Sequence, residues 1–297
     1  MKIPSVSIKN LLEAGVHLGH KTFRWNPKMN KFIFGSKKSI HIIDLVQTLE
    51  LINVALQKIH ECISSGGKIL FVSTKKQAAG SVANLAKETS QFYVNHRWLG
   101  GMLTNWKTIS NSIKKYKNLT LDLKKENTGF TKKEILKMGI QRDKLERSLG
   151  GISEMKKIPD MIFIIDTNIE DLAVKESIKL NIPIVAILDT NSDPVGIDYP
   201  IPGNDDARRA INLYCDLIKE TIIDAQSNIS KAAIHENKDE NQFITEKNSK
   251  EKKIKIVDKT VNKEKITPKK KEKIKVVKKI SKSIISKVKS LTAKKAK

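Results

Sequence analysis

The sequence predicts a doubly wound α/β protein with a helical hairpin inserted between the two halves of its sheet. Two almost wholly apolar segments, DMIFIID and IPIVAILD, flank the helix-length segment IEDLAVKESIKLN, and the same alternation occurs earlier in GGKILFVST, KQAAGSVANLAKE and QFYV. Continuous apolar strands separated by helices belong in a parallel sheet covered on both faces. Between the halves, residues 104–150 change period: Trp106, Ile109, Ile113, Tyr116, Leu119 and Leu123, then Ile135, Met138, Leu145 and Leu149, recur at three- and four-residue spacing. That spacing is the seam of two antiparallel helices.

In chain order, SIHIIDL is a candidate strand leading into a helix over Val46 to Ser64. Residues 66–95 follow as strand, helix and strand, and then the first arm of the hairpin begins. Its turn, KENTGF, contains Gly129, and Thr131 with Glu134 fits the T-x-x-E capping box that starts a helix. At 1.5 Å per residue each arm would extend roughly 25–30 Å, so the hairpin is expected to project from the sheet. Strand, helix and strand over 160–188 complete the sheet, and an amphipathic helix from about Asp205 to Ala225, capped by Asn204 or Asp205, closes the unit. From about Ser230 apolar residues become too sparse for a core. The predicted organisation is a globular domain over 1–230, with 104–150 as its hairpin insertion, and a disordered lysine-rich tail over 231–297.

Charge points to a polyanionic partner. The 297 residues carry 56 Lys+Arg against 32 Asp+Glu, a formal +24, which favours nucleic acid over most other ligands. Residues 247–297 hold 21 lysines and 4 acidic residues, so +17 sits in the tail and +7 in the rest. Within the tail Val277, Ile280, Ile284, Val288 and Leu291 stand at helical spacing, as in a segment that folds on a partner. Cys62 and Cys215 lie far apart in apolar stretches and predict free thiols in a reducing cytosol. MKIPSVSIKN lacks the apolar core of a signal peptide, and the longest apolar runs fall short of the ~20 residues of a membrane span, so a cytoplasmic protein without membrane contact is expected.

A doubly wound sheet invites a nucleotide site, which needs glycines where the first strand meets its helix. KKQAAGSVA follows KILFVST without G-x-G-x-x-G, and no G-x-x-x-x-G-K-[ST] occurs. There is no G-x-S-x-G or H-E-x-x-H, and Ser73 to Lys76 matches S-x-x-K without its companion elements. No catalytic residue, cofactor or small-molecule substrate is therefore expected. His17 and His20 are three apart, which suits two ligands on one helical turn or two imidazoles facing solvent or RNA. Asp189, Asp193, Asp205 and Asp206 are general-base or metal candidates, or caps.

Two segments interleave cations with aromatics. HKTFRWNPKMNKF places Lys21, Arg24, Lys28 and Lys31 among Phe23, Trp25 and Phe32 in a stretch that Asn-Pro keeps irregular, and NHRWLGGMLTNWK places Arg97, Trp98, Trp106 and Lys107 around Gly100-Gly101. Cations neutralise phosphates and flat rings stack on unpaired bases, although the same rings could pack on the sheet edge.

These blocks carry a resemblance. GVHLGH, WNPKM with FIFG behind it, IHIIDL, NHRWLGGMLTNW, SLGGI, IPIVAILDTNSDP and IPGNDDA, in order from about Ile8 to Ala225, closely resemble the bacterial small-subunit ribosomal protein S2 family. The resemblance implies a Rossmann-like parallel sheet with a protruding antiparallel coiled-coil hairpin. It implies a structural constituent of the small ribosomal subunit at the head–body junction, partnered by small-subunit rRNA, neighbouring ribosomal proteins and ribosomal protein S1. Carried over by motif block, the RNA-facing residues are His20, Lys21, Arg24, Trp25 and Lys28, then His96, Arg97, Asn105 and Lys107; Lys31 and Trp98 from the same segments complete the expected set. A surface near His17, Asp189 and Asp205 is the expected contact for S1, with a bridging zinc as the one metal to consider. The tail departs from the family pattern, and nonspecific phosphate contacts are its expected role. The rival readings are a histone-like nucleic-acid binder acting through the tail and a nucleotide-binding α/β enzyme.

Overall fold

A computed structural model describes residues 4–124 and 131–228. The KENTGF turn and the lysine-rich tail lie outside the described residues. The chain opens with α1 (Ile8–Ala14), where Ser7 accepts a hydrogen bond from the Asn10 amide and Gly15 ends the helix at φ 78°. Then come β1 (Leu18–Lys21), two 3₁₀ turns over Thr22–Arg24 and Pro27–Phe32, β2 (Ile33–Lys37) and β3 (Ile40–Ile43). The Asn-Pro stretch is therefore ordered: Asn26 accepts from the Lys28 amide, and Pro27 takes the first position of its turn, where no N–H is needed.

The SIHIIDL strand lies outside the parallel sheet and pairs antiparallel with both β1 and β2 in a separate three-stranded sheet. The cause is local. Lys38 and Ser39 have φ of 51° and 59°, the two positive values of a primed hairpin turn, so β2 folds straight back onto β3.

The remaining elements are α2 (Leu45–Ser64), β4 (Ile69–Val72), α3 (Ala79–Glu88), β5 (Phe92–Val94), α4 (Trp106–Lys124), α5 (Lys132–Leu149), β6 (Met161–Ile165), α6 (Asp171–Lys179), β7 (Ile184–Leu188), β8 (Tyr199–Pro202) and α7, which is helical over 208–228. The five strands from β4 onward form one parallel sheet in the order β5-β4-β6-β7-β8. Every residue of β4, β6 and β7 is buried, which is why these strands are apolar without alternation. Odd and even residues still part company. Phe71, Phe163 and Ile187 face a core closed by α1, α2, α3 and α7, whereas Val72, Ile164 and Leu188 face one closed by α6 and the sheet-proximal ends of α4 and α5. Phe71 and Phe163 are register partners, with ring centroids 5.7 Å apart.

α4 and α5 pack on each other, and the Thr131–Glu134 capping box is present in both directions. Ile109, Ile113 and Leu149 are buried at the sheet, whereas Ile135, Leu136 and Ile140 are exposed farther along the arms. No helix among the described residues is long and apolar enough to cross a membrane.

The sheet edges are finished differently. β5 is three residues long and closely overlaid by the turn at Gly151: a Cβ there would stand 2.1 Å from the Tyr93 carbonyl oxygen. At the other edge the Gly203 amide donates to the Leu188 carbonyl of β7, so strand alternation turns positions 200 and 202, both prolines, to the outside. Because backbone has to move to admit a methyl group at residue 151, Gly151→Ala is expected to cost about 1–3 kcal/mol in urea unfolding, the range for overpacking a tight site.

A candidate nucleic-acid surface and a buried carboxylate cluster

The NHRWLGGMLTNW segment is a loop organised by one acid. Glu176 of α6 accepts from Trp98 Nε1 at 3.0 Å, from the backbone amides of Gly101 at 2.8 Å and of Leu103 and Thr104 at 3.0 Å, and from Thr104 Oγ1 at 3.1 Å. Gly101 adopts φ +79°, which a side chain would resist, and this brings its amide round to the carboxylate. Partial burial pushes the Glu176 carboxyl up, but the converging donors outweigh it and hold its pKa below the ordinary value. Trp98 is thereby corrected: it is 6% exposed and braces the loop, so it is no stacking surface. His96, Arg97, Asn105 and Lys107 are exposed around it.

In the first segment Lys21, Arg24, Trp25, Lys28 and Lys31 are exposed. Trp25 lies 5.5 Å from the His41 ring, Arg24 sits over exposed Phe23, Lys31 over Phe32, and Lys28 pairs with Asp193 at 2.6 Å. Lys21 and Arg24 line a groove of about 350 Å³ with Leu18, Ile40 and His20.

His20 lines the same groove with its ring turned to the acidic loops. Its Nδ1 lies 2.8 Å from Asp189 Oδ2 and its Nε2 3.6 Å from Asp206 Oδ2, while its amide donates to Thr190 Oγ1 at 2.9 Å. Gly19 makes this possible, since a Cβ there would meet Thr190 Cγ2 at 2.6 Å. The Asp189 hydrogen bond, against a smaller loss from burial, raises the His20 pKa. His20, Asp189, Asp205 and Asp206 each offer a ligand atom within 4.8 Å of the others. His17, expected beside Asp189 and Asp205, is not in that set; it precedes β1, whose middle two residues, Gly19 and His20, are the ones carried to the 189–190 loop.

Behind this set stands Lys75, which in the sequence is only an unremarkable member of a chance S-x-x-K match. Its Nζ lies 2.7 Å from Asp205 Oδ1, 2.6 Å from Asp206 Oδ1 and 3.1 Å from Asp166 Oδ2. Burial pulls its pKa down, but the carboxylates win and raise it. Asp205 is fully buried; desolvation, with Asp166 and Asp189 adding to it, pushes its pKa up to about 7 against the pull of Lys75. Its Oδ2 is buried with no hydrogen-bond partner. Of the two capping candidates Asn204 takes the role, accepting from the amides of Asp206 and Ala207 in the turn into α7.

Lys75 and Asp166 follow β4 and β6, the neighbours at which the strand order reverses and where an open α/β sheet holds its ligand. Here the protein's own charges fill that crevice. The Thr74 amide, where a phosphate loop would offer its donors, gives its hydrogen to Glu170 at 2.6 Å. Fold and site thus define a doubly wound α/β protein with exposed cationic loops, whose strand-end crevice is occupied by its own charged side chains.

Comparison with known proteins narrows the class. The family model for ribosomal protein S2 matches residues 11–225. The small ribosomal subunit protein uS2 of Parvibaculum lavamentivorans is 55% identical over 233 residues, covering 78% of this chain and 92% of the relative. The uS2 proteins of Phenylobacterium zucineum and Caulobacter vibrioides are each 58% identical over 224 residues, covering 75% of this chain and 76% and 84% of the relatives. The chain belongs to the ribosomal protein S2 family, whose members are structural proteins of the small ribosomal subunit and not enzymes.

Replacing Glu176 by Gln removes the charge while leaving the shape, and the amide then turns an N–H₂ toward donors it cannot satisfy. A loss of about 1–3 kcal/mol in denaturant unfolding is expected at neutral pH. Because the folded-state pKa is depressed, the native stabilisation is present above the unfolded value of about 4.3 and fades as pH falls through the folded value. The gap between Glu176→Gln and the unaltered chain should therefore narrow on acidification.

Proposed function

We propose that this chain works on the small ribosomal subunit by position: it binds small-subunit rRNA at the head–body junction through its two cationic loops, and helps to seat ribosomal protein S1. The observation that carries the RNA reading is the Glu176-braced loop, which holds His96, Arg97, Asn105 and Lys107 at the surface while its aromatic ring is turned inward. Charged donors on a rigid backbone neutralise phosphates without spending ordering entropy on each contact. Lys21, Arg24, Trp25, Lys28 and Lys31 form the second contact surface, with Trp25 as the exposed ring available for stacking.

In this reading S1 docks on the acidic side, near His17, Asp189 and Asp205, where His20 and Asp206 also reach the surface groove. The donor set there fits a divalent cation, zinc included: one imidazole, three carboxylates, and a buried Asp205 oxygen that lacks a partner. His20, Asp189, Asp205 and Asp206 would hold it, and such an ion supplies an open coordination position that a partner's side chain can complete. The lysine-rich tail adds nonspecific phosphate contacts in this reading, supported by its +17 formal charge.

Two measurements test the assignment. Arg97→Glu combined with Lys107→Glu should weaken binding to small-subunit rRNA at least tenfold in filter binding and reduce the slope of log affinity against log salt by about two, one for each phosphate no longer neutralised; unchanged affinity would remove this loop from the interface. Deleting residues 247–297 should flatten the same slope further while leaving the protein in the small-subunit fraction of a sucrose gradient. Loss of co-sedimentation on that deletion would favour the tail-driven, histone-like reading.

A further inference from the structure

Four aspartates converge at the carboxyl ends of the parallel strands, Asp166 after β6, Asp189 after β7, and Asp205 and Asp206 after β8, and one buried lysine lies among them. Lys75 divides the two carboxylates that it shares with the His20 set. It holds Oδ1 of Asp205 and Oδ1 of Asp206, leaving Oδ2 of Asp206 3.6 Å from His20 Nε2 and Oδ2 of Asp205 buried without a partner. Lys75 also takes Asp166, which stands outside the His20 set altogether. The cluster has two poles: a fixed ammonium on one side, and on the other a group of four donors with no built-in cation besides a protonatable imidazole.

We infer that Lys75 is the resident counter-ion of this cluster, a positioning residue that lets the fold close without a metal and sets how tightly a divalent cation is held. The inference rests on reading His20, Asp189, Asp205 and Asp206 as cation ligands. Its physics is that of two like charges drawing on the same carboxylates. Each Asp oxygen satisfied by the ammonium lowers the negative potential offered to an ion on the far side, and the ammonium repels that ion directly. Without the ammonium, the buried carboxylates carry uncompensated charge, and the far-side cation becomes the species that neutralises them. Lys75 is 10% exposed at its side chain and is anchored by three partners, so its charge stays fixed in place when solution conditions change.

The test uses the full-length protein stripped with EDTA, in three forms: unaltered, Lys75→Met and Lys75→Arg. Zinc binding is measured by calorimetric titration, and thermal unfolding is followed with and without zinc. Lys75→Met is expected to bind zinc at least tenfold more tightly than the unaltered chain and to gain more in Tm on zinc addition, whereas Lys75→Arg, which keeps the charge, should stay within about threefold of the unaltered affinity. If Lys75→Met folds only when refolded with zinc, the inference is equally supported, since zinc has then replaced the missing charge. Adding Asp189→Asn to Lys75→Met should abolish the gain and so locate the ion in this cluster. Equal zinc affinity of Lys75→Met and the unaltered chain overturns the role of Lys75 and leaves the cation site standing. A Lys75→Met protein that stays unfolded with and without zinc also overturns it. If no form binds zinc, the cation site itself is refuted.

Discussion

A parallel sheet must end all its strands on the same side, and in this chain that side is acidic. The loops after β6, β7 and β8 deliver Asp166, Asp189 and Asp205 to one buried edge, with exposed Asp206 beside them, a concentration of charge that a closed core tolerates only if it is compensated in place. Compensation comes from two directions: Lys75 reaches in from the end of β4, and His20 is carried in from β1 of the small antiparallel sheet. Much else follows. Gly19 must lack a side chain so that β1 can approach Thr190, and the small sheet acquires its fixed place against the large one through the His20–Asp189 and His20–Thr190 hydrogen bonds. The crevice that other doubly wound proteins keep open for a ligand is here used up by the protein's own ions.

The opposite arrangement occurs on α6. There a single carboxylate, Glu176, collects backbone and side-chain donors from a loop that has no regular structure to satisfy them. At the strand ends a cation gathers acids; at Glu176 an acid gathers amides. At Glu176 the backbone conformation of a surface loop is set from beneath by a charge on a neighbouring helix. That loop can then carry positive side chains at close spacing without collapsing onto the protein. Trp98 shows the division of labour: its indole is spent on holding the loop, and the residues beside it remain outside.

Much of this was legible in the sequence, for reasons that also explain what was not. Strands β4, β6 and β7 are buried on both faces, so their composition alone distinguishes them from helices and loops. The Thr131–Glu134 capping box is a local device and was readable as such. Strands β1 and β2 are short and mix polar with apolar residues, and β2 meets β3 through Lys38-Ser39, a pair without the Asn-Gly chemistry that advertises a primed turn. β8 reads Tyr-Pro-Ile-Pro, and prolines ordinarily argue against a strand. On the site, the cationic residues declared themselves by composition, but Glu170, Glu176 and Lys75 did not. A charged residue beside a strand or on an amphipathic helix looks like a solvated one until the fold brings its partners from some 70 to 130 residues away. The same limit separates His20 from His17 and Trp98 from Trp25: the residue type was visible, and which way the backbone turned it was not.

The two prolines of β8 have a consequence for how the edge of the large sheet is closed. With Gly203 donating inward to Leu188, the outward amide positions of the strand fall at Pro200 and Pro202, and this margin of the sheet is covered by α2, whose Thr48 hydroxyl donates to the Pro202 carbonyl. Any ordinary residue at these two positions would have turned an N–H toward the helix, where no strand is present to accept it. The prolines thus let an amphipathic helix close over a sheet edge without burying a donor that lacks a partner.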